Sequence, residues 1–539
     1  MRNHFCSLPY FIVSVCLWAF VAAQPAVAQD QQAPHLEKRG VTTQLVVDGK
    51  PFLMLSGELH NSSSSSLEYM KPIWPQLASM GLNSVVTPLN WELIEPEEGK
   101  YDFTLVDGLL DQARNTHERI VFLWLASWKN GMSSYAPVWV KRDAKRFPRV
   151  VADHRVIEVL TPLATATMDA DARAYAALMR HLKEVDSRDH TVVMMQVENE
   201  VGVLGDSRDH SDTANKAFGS PVPAELTKYL AAHRDTLYPQ LKTLWDANGN
   251  KTSGTWAEVF GDTVRADEIF MAWHYARFIQ TVTAQGKAAY NIPMYVNTWL
   301  AGDDSTPGSY PSGGPEPWVV DVWKAAGTSL DLFAPDLYDP NFVSWCRRYH
   351  RDGNPLYMPE TRGGEAGAAN VFYALGEEAG LGFSPFGIED DKDPNGALAM
   401  SYHAIATVAP MVLEHQGAGD LHGFVLDRSH PSADFTVAGY TVHVVLDEIF
   451  GEHAQNGFGL IMPSGKDEFL GVGKGFRVSF TPRAATGPNV GIAAVDEGSF
   501  IDGKWVPGRR LNGDENDQGG AWRFDSRQIR TEKVSLYRF

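Results

Sequence analysis

Two segments of this chain carry carboxylates where they can do chemistry. Gln196-Val197-Glu198-Asn199-Glu200 closes an apolar run that starts at Val192. Pro355-Leu356-Tyr357-Met358-Pro359-Glu360 is a shorter apolar run that also ends on a carboxylate, ahead of the flexible Thr361-Arg362-Gly363-Gly364-Glu365-Ala366-Gly367. Along a strand the side chains alternate faces, so Glu200 lies about 6.6 Å beyond Glu198 on the same face. This places Glu200 at the mouth of a site and Glu198 a layer below, as a hydrogen-bonded interior residue. Two carboxyl groups across a cleft suit glycosidic cleavage: one, protonated near neutral pH, donates to the leaving oxygen while the other stays ionised. A gap of about 5 to 5.5 Å lets the ionised group attack the anomeric carbon with retention, whereas about 6.5 to 9.5 Å admits a water and gives inversion. Each residue also has a plain structural reading, Glu200 in an ion pair and Glu360 paired with Arg362. Glu365, out in the loop, is a weaker candidate.

Such residues need a frame that brings distant strand ends together, and the hydropathy pattern supplies one. Leu67, Met70, Trp74 and Leu77 repeat at helical spacing, as do Leu105, Leu109, Leu110 and Ala113. Two longer helices are expected over 169–185 and 267–290. Between them lie apolar β-branched runs suited to strands buried on both faces, at 54–58, 83–87, 120–125, 192–200, 292–299, 330–337, 356–360 and 381–388. Eight parallel strands alternating with helices predict a (β/α)8 barrel, whose site forms at the strand C-termini. An Asp48-Gly49 turn marks a hairpin in front of it. Past Gly417 short strands separated by turns predict an antiparallel β-sandwich. The expected organisation is an α/β (TIM) barrel over 29–416 and a β-sandwich over 417–539. Ala301 to Pro317, rich in Gly, Pro, Ser and Asp, follows the fifth strand and is expected to wall the site. Trp128 and Trp299, each just past a barrel strand, are the tryptophans expected to stack on a sugar there.

The 539 residues carry 47 Lys+Arg against 66 Asp+Glu, a formal charge of −19, with 44 % hydrophobic and 21 % charged residues. That balance is globular and argues against nucleic acid or anionic membranes as partners, since both require clustered cations. Residues 1–28 read as a secretory signal peptide. The start Met1-Arg2-Asn3-His4 is basic, an apolar run from Tyr10 to Ala23 follows, and Ala26-Val27-Ala28 has small residues at the cleavage positions, with Val21-Ala22-Ala23 as a rival. An exported protein, periplasmic or secreted, is expected, with no later uninterrupted apolar run of the ~18 to 20 residues that a membrane span requires. Of the three cysteines, Cys6 and Cys16 lie in the signal and leave Cys346, expected to be a buried helix residue. No metal or cofactor is expected. Asp391 to Gly396 matches only the first half of a calcium loop, with Tyr402 where the bidentate Glu belongs, and zinc, phosphate-loop and Gly-x-Ser-x-Gly motifs do not occur.

Ser56-Gly57-Glu58-Leu59-His60, Trp91 to Pro96 with Gly99-Lys100-Tyr101-Asp102-Phe103, and Gln196-Val197-Glu198-Asn199-Glu200-Val201-Gly202 resemble glycoside hydrolase family 35, the retaining β-galactosidases. The resemblance covers about residues 40–415. It implies that Glu200 is the acid/base, Asn199 binds the sugar 2-hydroxyl and Glu360 is the nucleophile. The chain departs from the better-known members at His60-Asn61-Ser62-Ser63-Ser64 in place of His-Tyr-x-Arg, at Pro88 in place of a Tyr, and at Ser127 in place of a galactose-contacting Glu; a Tyr-Asp-Tyr-Asp-Ala-Pro segment is missing. Glu58, Asn297, Trp128 and Tyr338 are the expected replacement contacts. The pattern, with the C-terminal Trp505 to Asp514, looks like a bacterial subgroup acting on plant cell-wall galactosides such as xyloglucan side chains. The implied activity is exo-β-galactosidase action on oligo- or polysaccharide, with another glycone (β-glucoside, β-arabinoside or β-glucosaminide) or a non-catalytic glycan binder as alternatives.

Overall fold

The computed structural model describes residues 32–449, 452–483, 489–501 and 503–539, together with Met1. The expected signal peptide, with Cys6 and Cys16, otherwise lies outside the described residues. Eight parallel strands form the first domain: β1 Met54–Leu55, β2 Ser84–Asn90, β3 Arg119–Lys129, β4 Val192–Asn199, β5 Met294–Trp299, β6 Leu332–Leu337, β7 Met358–Thr361 and β8 Gly382–Pro385. Their order around the sheet is β1-β8-β7-β6-β5-β4-β3-β2. The ring closes where Val86 N–H donates to Gly57 O at 2.8 Å and Leu59 N–H to Val86 O at 3.1 Å, just past the end of β1. The eight principal helices are α1 Ile73–Ser79, α2 Thr104–Thr116, α3 Thr165–Asp186, α4 Val264–Ala289, α5 Val320–Ala326, α6 Phe342–Tyr349, α7 Gly364–Gly376 and α8 Ala397–Ala418. The protein is thus a (β/α)8 barrel, as its alternating periods predict.

The strands are apolar on both faces because one face fills the lumen and the other meets the helices. Tyr295 of β5 and Tyr357 just before β7 meet edge to face, ring centroids 5.2 Å apart, although those strands are not neighbours; they touch across the lumen. Leu45 and Val47 of the hairpin join the same buried cluster as Val121, Met194 and Leu332. In the hairpin turn Asp48 has φ 52° and Gly49 φ 72°, the left-handed pair that a two-residue connection with the sheet's twist requires. Cys346 is buried on α6, as expected, where burial pushes its thiol well up. Helix α8, with a mean hydropathy of 1.2 over its most apolar stretch, is long and apolar enough by composition to cross a bilayer, although polar residues such as Ser401, His403 and Glu414 interrupt it. Here Leu398, Tyr402, Ile405, Val408 and Val412 recur at helical spacing and are buried against the barrel.

After α8 ends at Ala418 the chain enters two antiparallel sheets, one of six strands beginning at His422–Leu426 and one of four beginning at Ser432–Val437. Their facing sides share a core that includes Phe424, Val442, Phe476, Trp522 and Val534, which is the expected sandwich. Its six-stranded sheet packs on α7. A Cβ on Gly376 of the helix would lie 2.6 Å from the Gly423 Cα, so glycine at both positions permits the approach. Phe372 and Phe458 meet beside them, centroids 5.1 Å apart.

Candidate active site

The end of β4 breaks its alternation. Glu198 has φ 63° and Glu200 φ 45°, and the pairing of β3 with β4 shifts between Trp124 and Lys129. Positive φ at a non-glycine residue is costly and persists only where neighbours enforce it. The consequence is that Glu198 leaves the lumen-facing series. It accepts from the Ser127 N–H at 3.0 Å and the Trp128 N–H at 2.8 Å and hydrogen-bonds Asp171 of α3. Asp171 also accepts from the Trp124 indole at 2.9 Å and the Ser127 hydroxyl at 2.6 Å. Burial pushes both carboxyls up, Glu198 further. Glu198 is hydrogen-bonded as expected, but its partners tie the strand ends to a helix; it does not form a lower layer of the lumen.

The same irregularity corrects the expectation for Trp128. Its ring is fully buried on the helix side, edge to face with Tyr275 and Phe278 of α4 at 4.9 and 4.6 Å. Its N–H donates to Leu160 O at 2.9 Å. The next two residues take the position facing the site. Asn130 Nδ2 donates to Glu200 Oε2. Lys129 Nζ donates to Asn199 Oδ1 at 3.0 Å, so the Asn199 amide is oriented with Nδ2 buried and unpartnered. Strict alternation had pointed one and two residues too early.

Glu200 and Glu360 arrive from β4 and β7 on one cleft of about 380 Å³, which Asn130, Trp299, Asp336 and Tyr338 also line. That volume lies within the usual range for small-ligand sites. Tyr338 Oη donates to Glu360 Oε1 at 2.6 Å, and Glu360 Oε2 is buried without a partner. Asn297 of β5 joins the two halves: its Oδ1 accepts from the Glu200 N–H at 2.9 Å and its Nδ2 donates to Asp336 Oδ2 at 2.6 Å. Burial and then the Glu360 charge push the Glu200 carboxyl up to about 7, while Lys129 and hydrogen bonds from Asp336 and Asn130 oppose the rise. Asp336 is pushed well up by burial and by the charges of Glu360, Glu200 and Glu58. Glu58 is also buried and pushed well up, first by desolvation and then by Glu360, with Lys129 opposing.

Of the residues expected from sequence, Glu200, Glu360, Asn297 and Tyr338 form one connected constellation. Asn199 is held beside it by Lys129, and Glu58 lies buried within range of its charges. Trp128 is excluded, whereas Trp299 stands at the cleft, 41 % exposed. The loop at 301–317 contributes Gly302 to the wall. Asp336 was missed although it meets the test that found Glu360: it sits near the end of a barrel strand, and its Cα pairs with that of Glu360 across β6 and β7.

A family model described as beta-galactosidase (glycoside hydrolase 42) matches residues 64–278, and a model described as a domain of unknown function (DUF5597) matches 398–523. The chain is 30% identical over 210 residues to a beta-galactosidase of Xanthomonas manihotis, covering 36% of this chain and 31% of that one. It is 24% identical over 208 residues to beta-galactosidase 14 of Arabidopsis thaliana, covering 36% and 21%. The chain thus spans about a third or less of the length of these curated relatives. Among solved structures, the catalytic domain of a Paenibacillus polymyxa beta-amylase superposes with TM-score 0.47 at 13% identity, covering 66% of this chain and 98% of that one. A beta-galactosidase from Rahnella sp. R3 gives 0.44 at 15%, covering 68% and 60%. The sequence matches support a barrel glycoside hydrolase similar to beta-galactosidases and do not single out family 35. The matched barrel segment contains Asn199 and Glu200 and ends before Asn297, Asp336 and Glu360.

Proposed function

We propose that this chain is a glycoside hydrolase of the family 35 type: a retaining exo-β-galactosidase that removes terminal β-D-galactosyl residues from oligo- or polysaccharides, xyloglucan side chains among them. The observation that carries this reading is the convergence of Glu200 and Glu360 on one cleft, with the Glu200 carboxyl raised to about 7 by burial and by the Glu360 charge. A carboxyl with that pKa is part protonated at neutral pH and can give and take a proton within one cycle.

In the first step Glu360 Oε2 attacks the anomeric carbon, the bond to the leaving oxygen breaks, and that oxygen takes the Glu200 proton. In the second, Glu200 as base removes a proton from water, whose oxygen displaces Glu360 and regenerates both carboxyls. Tyr338 holds the other oxygen of Glu360 in place. Asn199, its amide oxygen held by Lys129 beside the cleft, is the residue that the resemblance assigns to the sugar 2-hydroxyl. The galactosyl assignment is supported by the motifs and by the names of the sequence relatives. The basic start and apolar run in residues 1–28 support action after export, in the periplasm or outside the cell.

Two measurements test the reaction. A 2-deoxy-2-fluoro-β-galactoside with a good leaving group should label Glu360, as mass analysis of the digested protein will show, and proton NMR should find the β-anomer as first product. An α-anomer, or a label on another residue, sinks the mechanism. A panel of aryl β-glycosides tests the sugar; faster turnover of a glucoside, arabinoside or glucosaminide would replace galactose.

A further inference from the structure

Three spaces adjoin along one side of the barrel mouth. The catalytic cleft shares Gly302 and Trp345 with a small cavity, which in turn shares Tyr238, Gln240, Asp303 and Arg348 with a groove of about 940 Å³. The groove passes α6 at Asn341 and ends on Asp427 and His430 of the β-sandwich. It is more than twice the volume of the cleft that receives the terminal sugar, and it lies at the upper end of the range for ligand sites.

The chemistry of its walls says what fits. The arginines on it are each matched by a carboxylate: Arg348 with Asp303 at 2.7 Å, Arg351 with Asp352 at 2.6 Å and Arg347 with Glu378 at 3.6 Å, and the His430 ring lies 3.4 Å from the Asp427 carboxylate. A groove so neutralised offers a polyanion no net attraction. It offers flat and hydrogen-bonding surfaces instead. Arg348 lies over the Trp345 ring at 4.4 Å and Arg351 over the Tyr238 ring at 4.9 Å, with the Gln240 and Asn341 amides beside them.

We infer that the groove holds the leaving-group side of the substrate: a neutral polysaccharide backbone, bearing the terminal sugar as a branch, runs from the cleft past Trp345 and the Arg348–Asp303 pair along Tyr238 and Gln240 to Asp427 and His430. The β-sandwich is then part of the substrate site. This rests on hydrolysis at Glu200 and Glu360, because that chemistry sets which end of the substrate enters the cleft.

The test uses Gln240→Ala and His430→Ala, two exposed side chains outside the catalytic constellation. On an aryl β-galactoside, which does not reach the groove, kcat/KM should stay within about twofold of wild type, while on galactoxyloglucan it should fall about tenfold. Unchanged turnover of the polymer, or equal losses on both substrates, overturns the groove. If the wild-type protein turns over no aryl galactoside, the hydrolase reading fails separately. Retardation in gels containing galactoxyloglucan then decides the groove: weaker retardation of both variants supports it, and equal retardation overturns it.

Discussion

The backbone N–H of Glu200 donates to the side-chain oxygen of Asn297 at 2.9 Å, and this bond spans from β4 to β5 at the point where Glu200 adopts φ 45°. The other end of the same amide is committed to Asp336. Asn297 therefore holds the carboxyl-bearing residue in a costly backbone conformation and joins it to the strand next to Glu360. Asn297→Ala should lower kcat/KM about 10²-fold through misplacement of Glu200. Steady-state kinetics on a variant whose circular dichroism matches wild type will check this, and a loss below about threefold would deny the role.

The two carboxylates should fail differently. Glu360→Gln removes the nucleophile and should abolish covalent labelling with turnover. Glu200→Ala should lose about 10²–10⁴-fold on alkyl galactosides, whose leaving oxygen needs a proton, yet retain formation of the glycosyl-enzyme from dinitrophenyl galactoside. Burst kinetics read the second case directly, and normal turnover of natural galactosides by either variant would reject the assignment.

As the proton donor, Glu200 must be protonated for the first step, so kcat/KM should fall as pH rises through about 7. The Asn130 hydrogen bond favours the ionised form, and its removal in Asn130→Ala should move this alkaline limb to higher pH. The pH profile of kcat/KM measures the shift; a limb that stays or moves lower would show that another group sets it.

Trp128 and Trp299 separate packing from binding. Trp128→Ala empties a fully buried site and should cost about 3–5 kcal/mol of stability. Trp299 is 41 % exposed at the cleft, so Trp299→Ala should leave Tm nearly unchanged and raise KM. Paired thermal melts and kinetics test both, and the reversed pattern would restore Trp128 to the site.

Glu532 in the β-sandwich is buried with the Trp522 indole donating at 2.9 Å, and burial pushes its carboxyl from 4.5 up to about 8. Below the lower value it is protonated whether the chain is folded or not. As pH rises between the two, the unfolded chain ionises while the folded one keeps its proton, so stability is lost across that window. Glu532→Gln, neutral throughout, should flatten the decline. Denaturation midpoints of variant and wild type should diverge in the variant's favour between about pH 5 and about pH 8, and a constant difference would contradict the shift.

The period of apolar residues along 192–200 and 356–360, and the carboxylates that close those runs, are local properties of the chain. They were enough to read the barrel, the sandwich, and Glu200 and Glu360 as the pair at its mouth. Asp336 was equally legible by its place near a strand end, but nothing local tells that its Cα pairs with that of Glu360. Trp128 was misread because strict alternation assumes an unbroken ladder. The shift between β3 and β4 depends on how two strands 70 residues apart pair; it turns Trp128 into the helix layer and brings Lys129 and Asn130 to the carboxylates. The sequence by itself determined which groups stand at strand ends, because strand period and hydropathy are set residue by residue. Only the tertiary structure decided which of them face one another, which keep a proton and where the groove leads, because register, burial and the charges of neighbours exist only once distant segments pack.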